Sequence, residues 1–109
     1  MEDRLDIPPG TLDLLILTIL NREPLHGYGI SQRLAELTRD VFVVNPGSLF
    51  PALYKLEQDG KLVAEWRASD NNRNAKYYKL TRAGKKQLER QLERYNRGAM
   101  AIAHVLEGA

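Results

Sequence analysis

The spacing of apolar residues near the end of the chain constrains the fold most. They recur at intervals of four, three, four, three and four residues, at Leu88, Leu92, Tyr95, Ala99, Ile102 and Leu106. We call this set the seam, because a/d spacing with charged residues between is typical of helices that pair along their length. A helix over residues 81–109 would extend roughly 35–40 Å at ~1.5 Å per residue, which exceeds the reach of a small domain. We therefore predict pairing with a second copy of the chain, with packing onto the same domain as the alternative.

Composition limits what else the chain can be. At 109 residues it is long enough for one small domain, and it contains no cysteine, which excludes disulfides and thiolate metal sites. Its first residues lack the features of a signal peptide, and its longest apolar stretch is far short of the ~20 residues that span a bilayer. We therefore expect a cytoplasmic protein that makes no membrane contact.

Positive charge is unevenly distributed along the chain. The net charge is only +2, but between Arg73 and Arg97 nine basic residues face only Glu89 and Glu93. A concentrated positive region favours an anionic partner. A solvated helix face would give the same pattern, so charge alone leaves both interpretations open.

The first half of the chain reads as two helices and a short strand. A helix from Gly10 or Thr11 to about Asn21 is apolar on two faces, and we predict that Leu14 and Leu17, on its second face, contact a partner chain. A second helix begins after His26, which we expect to cap it or pack in the turn. Its predicted buried stripe is Ile30, Leu34 and Leu37, and the β-favouring run over residues 41–44 is predicted to be a brief strand.

A third helix is predicted within the stretch NPGSLFPALYKLEQDG. If Ser48 is the N-cap, Pro51 lies in the first turn, where its missing N–H would have no partner anyway. If Asn45 is the N-cap and Pro46 the first helical residue, Pro51 lies inside the helix. We favour a start near Ser48, and Gly60 is expected to end the helix.

The next segment is predicted to form a two-stranded ribbon. Residues 61–68 and 74–80 are rich in β-favouring side chains, with a polar loop between them. We expect Trp66 to lie in the core of the ribbon. Tyr77 and Tyr78 must point to opposite faces of a strand, so one is buried and the other exposed. Thr81 is expected to cap the final helix.

This order of elements is that of a winged helix-turn-helix. The predicted fold is mainly α with a small antiparallel β wing, with a flexible N-terminal arm (1–10), the winged unit (11–80) and a C-terminal dimerisation helix (81–109). In that arrangement the third helix enters the DNA major groove and the ribbon loop meets the backbone or minor groove. Small or hydrogen-bonding groups would approach base edges, and cations and Tyr54 would contact phosphates. The predicted DNA-binding residues are Ser48, Ala52, Tyr54, Lys55, Gln58, Arg67, Arg73 and Lys76.

Three ordered segments, HGYGISQRL, NPGSLFPALYKLEQDGKL and NAKYYKLTRAGKKQL, resemble the PadR family of bacterial transcriptional regulators. The resemblance runs from about Thr11 to the end, and the single long final helix is similar to the family's shorter subclass. It implies a dimeric repressor that binds a palindromic operator in double-stranded DNA. It also implies a ligand chamber at the dimer interface of some short members, where Tyr95 stands in place of their Trp. Phe50 stands where the family more often has Tyr.

The same residues are compatible with functions other than DNA binding. A winged helix can also serve as a protein-docking module without binding DNA, and the modest net charge favours that alternative. A hydrophobic small molecule held near Tyr95 is compatible with either role. The chain has no glycine-rich phosphate loop, nucleophile elbow or cluster with metal-ligand spacing, so we expect no catalysis, cofactor or metal.

Overall fold

The computed structural model describes residues 4–68 and 71–108. Within them the chain forms α1 (Leu12–Leu20), β1 (Leu25–His26), α2 (Gly27–Leu37), α3 (Pro46–Gln58), β2 (Leu62–Ala68), β3 (Asn74–Leu80) and α4 (Arg82–Gly108). The strands form an antiparallel sheet of order β1-β3-β2. We call β2, β3 and their connecting loop the wing. The predicted fold, mainly α with a small antiparallel wing and a long C-terminal helix, is confirmed.

One apolar core joins the first three helices to the base of the wing. Its most completely buried large side chains come from α1, α2 and α3, namely Ile16, Leu17, Ile30, Leu49 and Leu53. Tyr78 and Leu80 of β3 belong to the same cluster, so Tyr78 is the buried member of the tyrosine pair. Burial of this apolar surface is the main stabilising term, and it fixes the wing relative to the helices.

Side-chain caps set where the helices begin. The Asn45 carboxamide oxygen accepts a 2.9 Å hydrogen bond from the Ser48 backbone N–H, and Pro46 follows it as the first residue of α3. The predicted start near Ser48 is therefore wrong, and Pro51 lies inside the helix. The capping role of His26 is confirmed, because its Nδ1 accepts a 2.9 Å hydrogen bond from the Gly29 N–H.

The predicted strand over residues 41–44 is wrong. That segment is irregular and is held by Thr38, whose hydroxyl accepts a 3.1 Å hydrogen bond from the Phe42 N–H. The strand that joins β2 and β3 in the sheet is instead β1, where Leu25 and His26 pair with Tyr78 and Tyr77 of β3. A two-residue strand carries no periodic signal, so only the tertiary pairing reveals it.

Two predicted core residues lie at the surface. Leu37, at the end of α2, is exposed, because the helix runs past the edge of the core there. Trp66 is exposed as well, because it lies towards the tip of the wing, beyond the helices that cover Leu62. Both expectations of burial were therefore wrong.

The helix α4 projects from the body of the chain. Its 27 residues include one buried residue, Gly84, near its start, and from Leu92 to Gly108 every residue is exposed. The radius of gyration is 15.4 Å, whereas a compact chain of this length has a value of about 13 Å. Residues 4–10, part of the predicted flexible arm, lie against the body, where the Leu5 N–H donates to the Val41 carbonyl and Ile7 packs on the core.

Candidate nucleic-acid interface

The helix α3 buries one face and leaves the other open. Leu49, Leu53 and Leu56 are buried in the core. At 3.6 residues per turn, the opposite side carries Gly47, Pro51, Tyr54 and Gln58, which are all exposed and which we call the α3 ridge. An amphipathic helix whose outer face is small, uncharged and hydrogen-bonding is suited to contact the edges of bases.

Half of the α3 ridge was predicted from the sequence. Tyr54 and Gln58 were predicted, whereas Gly47 was missed because the helix was started too late, and Pro51 was considered only for its effect on the start of the helix. Ser48 and Lys55 are exposed beside the ridge, whereas Ala52 is half-buried and packs against the core. Assigning the cap to Asn45 would have placed Gly47 on the helix from the sequence alone.

The side chain of Lys55 lies among carboxylates. Its Nζ is 3.4 Å from the Asp59 carboxylate oxygen Oδ2, one turn further along α3. Asp13 of α1 is close enough to interact with both. Burial raises the pKa of the Asp13 carboxyl, the Lys55 ammonium opposes this rise, and the Asp59 carboxylate adds to it. Lys55 is therefore partly neutralised within the chain.

The half-buried Asp13 carboxyl gives a prediction for the pH dependence of stability. Its pKa is raised on folding, so between its ordinary value of 3.8 and the raised value the folded state binds more protons than the unfolded state. This contribution to the free energy of unfolding is fully present below pH 3.8, the ordinary pKa of the group, and is lost as the pH rises through the raised pKa. We expect wild-type stability to increase relative to that of Asp13→Asn as pH falls from about 7 to about 4. Urea unfolding across that range measures it, and parallel pH profiles would contradict it.

The two faces of the wing carry different groups. Trp66 of β2 is paired with Lys76 of β3, and both share the inner face with buried Tyr78. Arg67, the next residue along β2, points to the outer face, where its guanidinium lies 4.0 Å from the centre of the Tyr77 ring. The structure therefore separates Arg67 from the other predicted DNA-binding residues.

Lys76 links the wing to α3. Its Nζ lies 2.9 Å from the carboxylate oxygen Oε1 of Glu57, and both side chains are about two-thirds covered. The hydrogen bond that Lys76 donates to the Glu57 carboxylate raises the pKa of Lys76, so the lysine stays charged at neutral pH. The sequence predicted a phosphate contact for Lys76, but in the structure its ammonium group forms an ion pair with the Glu57 carboxylate. Arg73, which is exposed near the tip of the wing, forms no ion pair with the described residues.

A groove separates α3 from the inner face of the wing. It encloses about 540 Å³ and is bordered by Tyr28 of α2, Phe50 of α3 and Trp66 of β2, with Arg73 and Lys76 from the wing. We call it the aromatic groove. It lies beside the α3 ridge, so one surface combines an uncharged helix face, exposed aromatic rings and cations.

The residues predicted to pair with another chain divide into two groups. Leu17 is fully buried in its own core, Leu14 is buried beside a cleft between α1 and α4, and Leu88 packs on the core, so their surfaces are largely used within the chain. The expectation that Leu17 contacts a partner is therefore wrong. The rest of the seam is exposed on α4, and it comprises Leu92, Tyr95, Ala99, Ile102 and Leu106.

The described part of the chain lacks two features of other protein classes, a membrane-spanning helix and a metal-binding cluster. None of its helices combines the length and the apolar character needed to cross a bilayer. Within residues 4–68 and 71–108, no three histidine or acidic side chains cluster in a way that could hold a metal ion.

Known proteins resemble the chain in sequence and in fold. The model of the transcriptional regulator PadR-like family matches residues 16–90. A transcriptional regulator of Mycobacterium tuberculosis is 43% identical over 61 residues, which cover 56% of this chain and 53%, about half, of that relative. A PadR-like regulator from Bacillus cereus has 27% identity and a TM-score of 0.80, covering 92% of this chain and 95% of that one. A PadR family regulator from Eggerthella lenta has 29% identity and a TM-score of 0.79, covering 92% and 85%.

The sequence match, the winged fold and the projecting α4 agree with one another. The family match covers most of the chain, from within α1 to the first third of α4. The structural matches extend over nearly all of it. The relatives are transcriptional regulators, a class that is generally not enzymatic. The chain therefore belongs to the PadR-like family of transcriptional regulators.

Proposed function

We propose that this chain is a sequence-specific DNA-binding regulator that acts as a homodimeric repressor on a palindromic operator. The observation that carries the proposal is the α3 ridge, an exposed and uncharged helix face beside a wing that presents Arg73. A winged helix places such a helix in the major groove of double-stranded DNA. The proposed partner is DNA and the family is one of bacterial regulators, so we place the protein in the cytoplasm.

The seam supports the dimer. Five of its residues, from Leu92 to Leu106, are exposed along one side of α4. A stripe of this kind on a projecting helix is stabilised when a second copy covers it. A two-fold dimer presents two α3 helices, and half-sites about 34–36 Å apart on one face of the duplex would fit them.

The Arg73 side chain gives the first test of DNA binding. In the proposal Arg73 contacts a phosphate, so Arg73→Ala should weaken binding to every duplex and reduce the slope of log affinity against log salt by about 0.9. Gln58→Ala should instead change the preference among base pairs, because Gln58 lies on the α3 ridge. Fluorescence anisotropy would be measured with a duplex selected from a random pool by the wild type, and with a scrambled duplex.

The same measurements separate DNA binding from the docking alternative. A protein-docking module would show no affinity for either duplex, or an affinity that does not change with salt. Arg67→Ala is the matched control, because Arg67 is an exposed arginine on the opposite face of the wing. An equal effect of both arginine substitutions would contradict the assignment of the inner face to DNA.

A hydrophobic small-molecule effector is the second part of the proposal. Tyr95 is exposed in the middle of the seam and lines a cleft of about 430 Å³ with Thr11, Leu14 and Gln91. In a dimer this cleft would lie close to the partner helix, and a planar compound held there would change the crossing of the two helices. Tyrosine fluorescence titrated with planar aromatic compounds tests it, and flat titrations over a diverse panel would count against it.

A further inference from the structure

Three large aromatic side chains are exposed around the aromatic groove. Tyr28, Phe50 and Trp66 are 69%, 47% and 68% exposed, although they come from three different elements. Apolar rings left in water at one place mark an interaction surface, because covering them is favourable. Trp66 was predicted to lie in the core, so the exposed rings were not predicted from sequence, whereas Arg73 and Lys76 of the same groove were.

The walls of the aromatic groove are held in place by the fold. The ring of Phe50 lies directly over Gly27, where a Cβ atom would be only 2.6 Å from the ring, so α3 and α2 approach closely. On the other wall, Trp66 is paired with Lys76, which Glu57 ties to α3. The groove is therefore formed before any ligand arrives.

The charge around the aromatic groove selects the kind of partner. The described residues that line it include Arg73 and Lys76 and no carboxylate, and because Lys76 is paired with Glu57 just outside the groove, Arg73 is the cation without an ion pair among the described residues. The cavity on the outer face of the wing differs in having a carboxylate, Glu65, in its own lining, together with Arg67 and Lys79. Apolar rings beside the guanidinium of Arg73 suit an anionic partner that also has apolar surface. The sugar–phosphate backbone of DNA has both properties, because each phosphate alternates with a deoxyribose.

We propose that the aromatic groove holds one strand of the duplex backbone, with the indole of Trp66 packed against a deoxyribose and the Arg73 guanidinium on an adjacent phosphate. This inference rests on the proposed function, and it assigns the DNA contact to the inner face of the wing. Trp66 and Phe50 would then position α3 by contact with the backbone.

Trp66 is the single tryptophan of the chain, so its fluorescence reports on this site directly. The duplex recovered from a random pool by the wild type would be added to the full-length protein, and the quenching of Trp66 by acrylamide would be followed. We expect the bound duplex to lower the quenching constant by at least about half, because the indole becomes covered. In parallel, anisotropy of the labelled duplex shows directly whether the duplex is bound.

Substitution at Trp66 provides the second measurement. Trp66→Ala should weaken duplex binding by about tenfold, and Trp66→Phe should retain most of the affinity because an aromatic face remains. Arg67→Ala, one residue away on the outer face, is the matched control and should change affinity less than about twofold. Thermal unfolding of each variant checks the fold, which should be unaffected because Trp66 lies outside the core.

The outcomes separate this inference from the proposed function. If the duplex binds but Trp66 stays open to acrylamide, and Trp66→Ala binds as the wild type does, this inference is wrong while DNA binding stands. If no duplex binds by anisotropy, the proposed function itself fails. Loss of affinity in Trp66→Ala with full retention in Arg67→Ala supports the inner face as the contact.

Discussion

Replacing Gly84 with alanine is expected to destabilise the fold by about 2–4 kcal/mol, because there is no room for the added methyl group. A Cβ atom at Gly84 would overlap with the backbone carbonyl oxygen of Lys61. Backbone atoms cannot swing aside as a flexible side chain can. The strain would fall where α4 leaves the wing, since the Gly84 N–H donates a 3.0 Å hydrogen bond to the Thr81 hydroxyl.

The expected loss at Gly84 is large for a chain of this size, since small domains are stable by only about 5–15 kcal/mol. Gly98→Ala provides the matched control, because both glycines lie in α4 and nothing lies within 4 Å of a Cβ at Gly98. In open space alanine favours the helix over glycine by roughly 1 kcal/mol. Urea unfolding followed by circular dichroism should show opposite signs for the two variants. Equal effects would contradict the close contact at Gly84.

The substitution Ile102→Glu is expected to convert the proposed dimer to a monomer and to weaken the proposed DNA binding by about 100-fold or more. A glutamate at this position of the seam would place an unpaired charge in the apolar contact between helices. Each monomer would then reach one half-site only, and the gain from binding both half-sites together would be lost. Analytical ultracentrifugation measures the oligomeric state, and anisotropy measures the affinity for the selected duplex.

Met100→Glu is the control for that substitution. Met100 and Ile102 are 61% and 62% exposed and lie two residues apart on α4, but at 100° per residue Met100 lies outside the seam. The two variants carry the same added charge on the same helix. Only Ile102→Glu should dissociate the dimer. Dissociation by both variants, or by neither, would be contrary to pairing through the seam.

The sequence predicted the fold well because its signals were local and repeated. Each of these signals acts within one element, as do the seam, the β-favouring runs around the wing loop and Gly60. Gly60 has a φ of +75° in the structure, as expected of a glycine that ends a helix. The wing strands lie within one residue of the predicted positions.

The errors arose where distant parts of the chain decide the outcome. The two residues of β1 are a strand only because β3 pairs with them, and residues 41–44 are not one because no strand lies beside them. Trp66 was assigned to the core on its residue type, but the core ends before the tip of the wing. The engagement of Lys76 by Glu57 joins residues 19 positions apart, and no spacing rule predicts such a pair.

The candidate site was predicted in part for the same reason. The spacing of the leucines in α3 indicates which side of the helix is exposed, so Tyr54 and Gln58 could be predicted. Which face of the wing lies towards α3 depends on strand register, and this separates Arg67 from Arg73 and Trp66. Register is set by pairing across the sheet, and it is not visible in a single strand.

The absence of a spacer between β3 and α4 has a mechanical consequence. A single residue, Thr81, connects them, and its hydroxyl also donates a 2.6 Å hydrogen bond to the Gly60 carbonyl at the end of α3. The winged unit and α4 therefore move together as one rigid body. In the proposed dimer, any event that tilts one α4 against the other would swing both α3 helices and change the distance between them, without altering the shape of either winged unit.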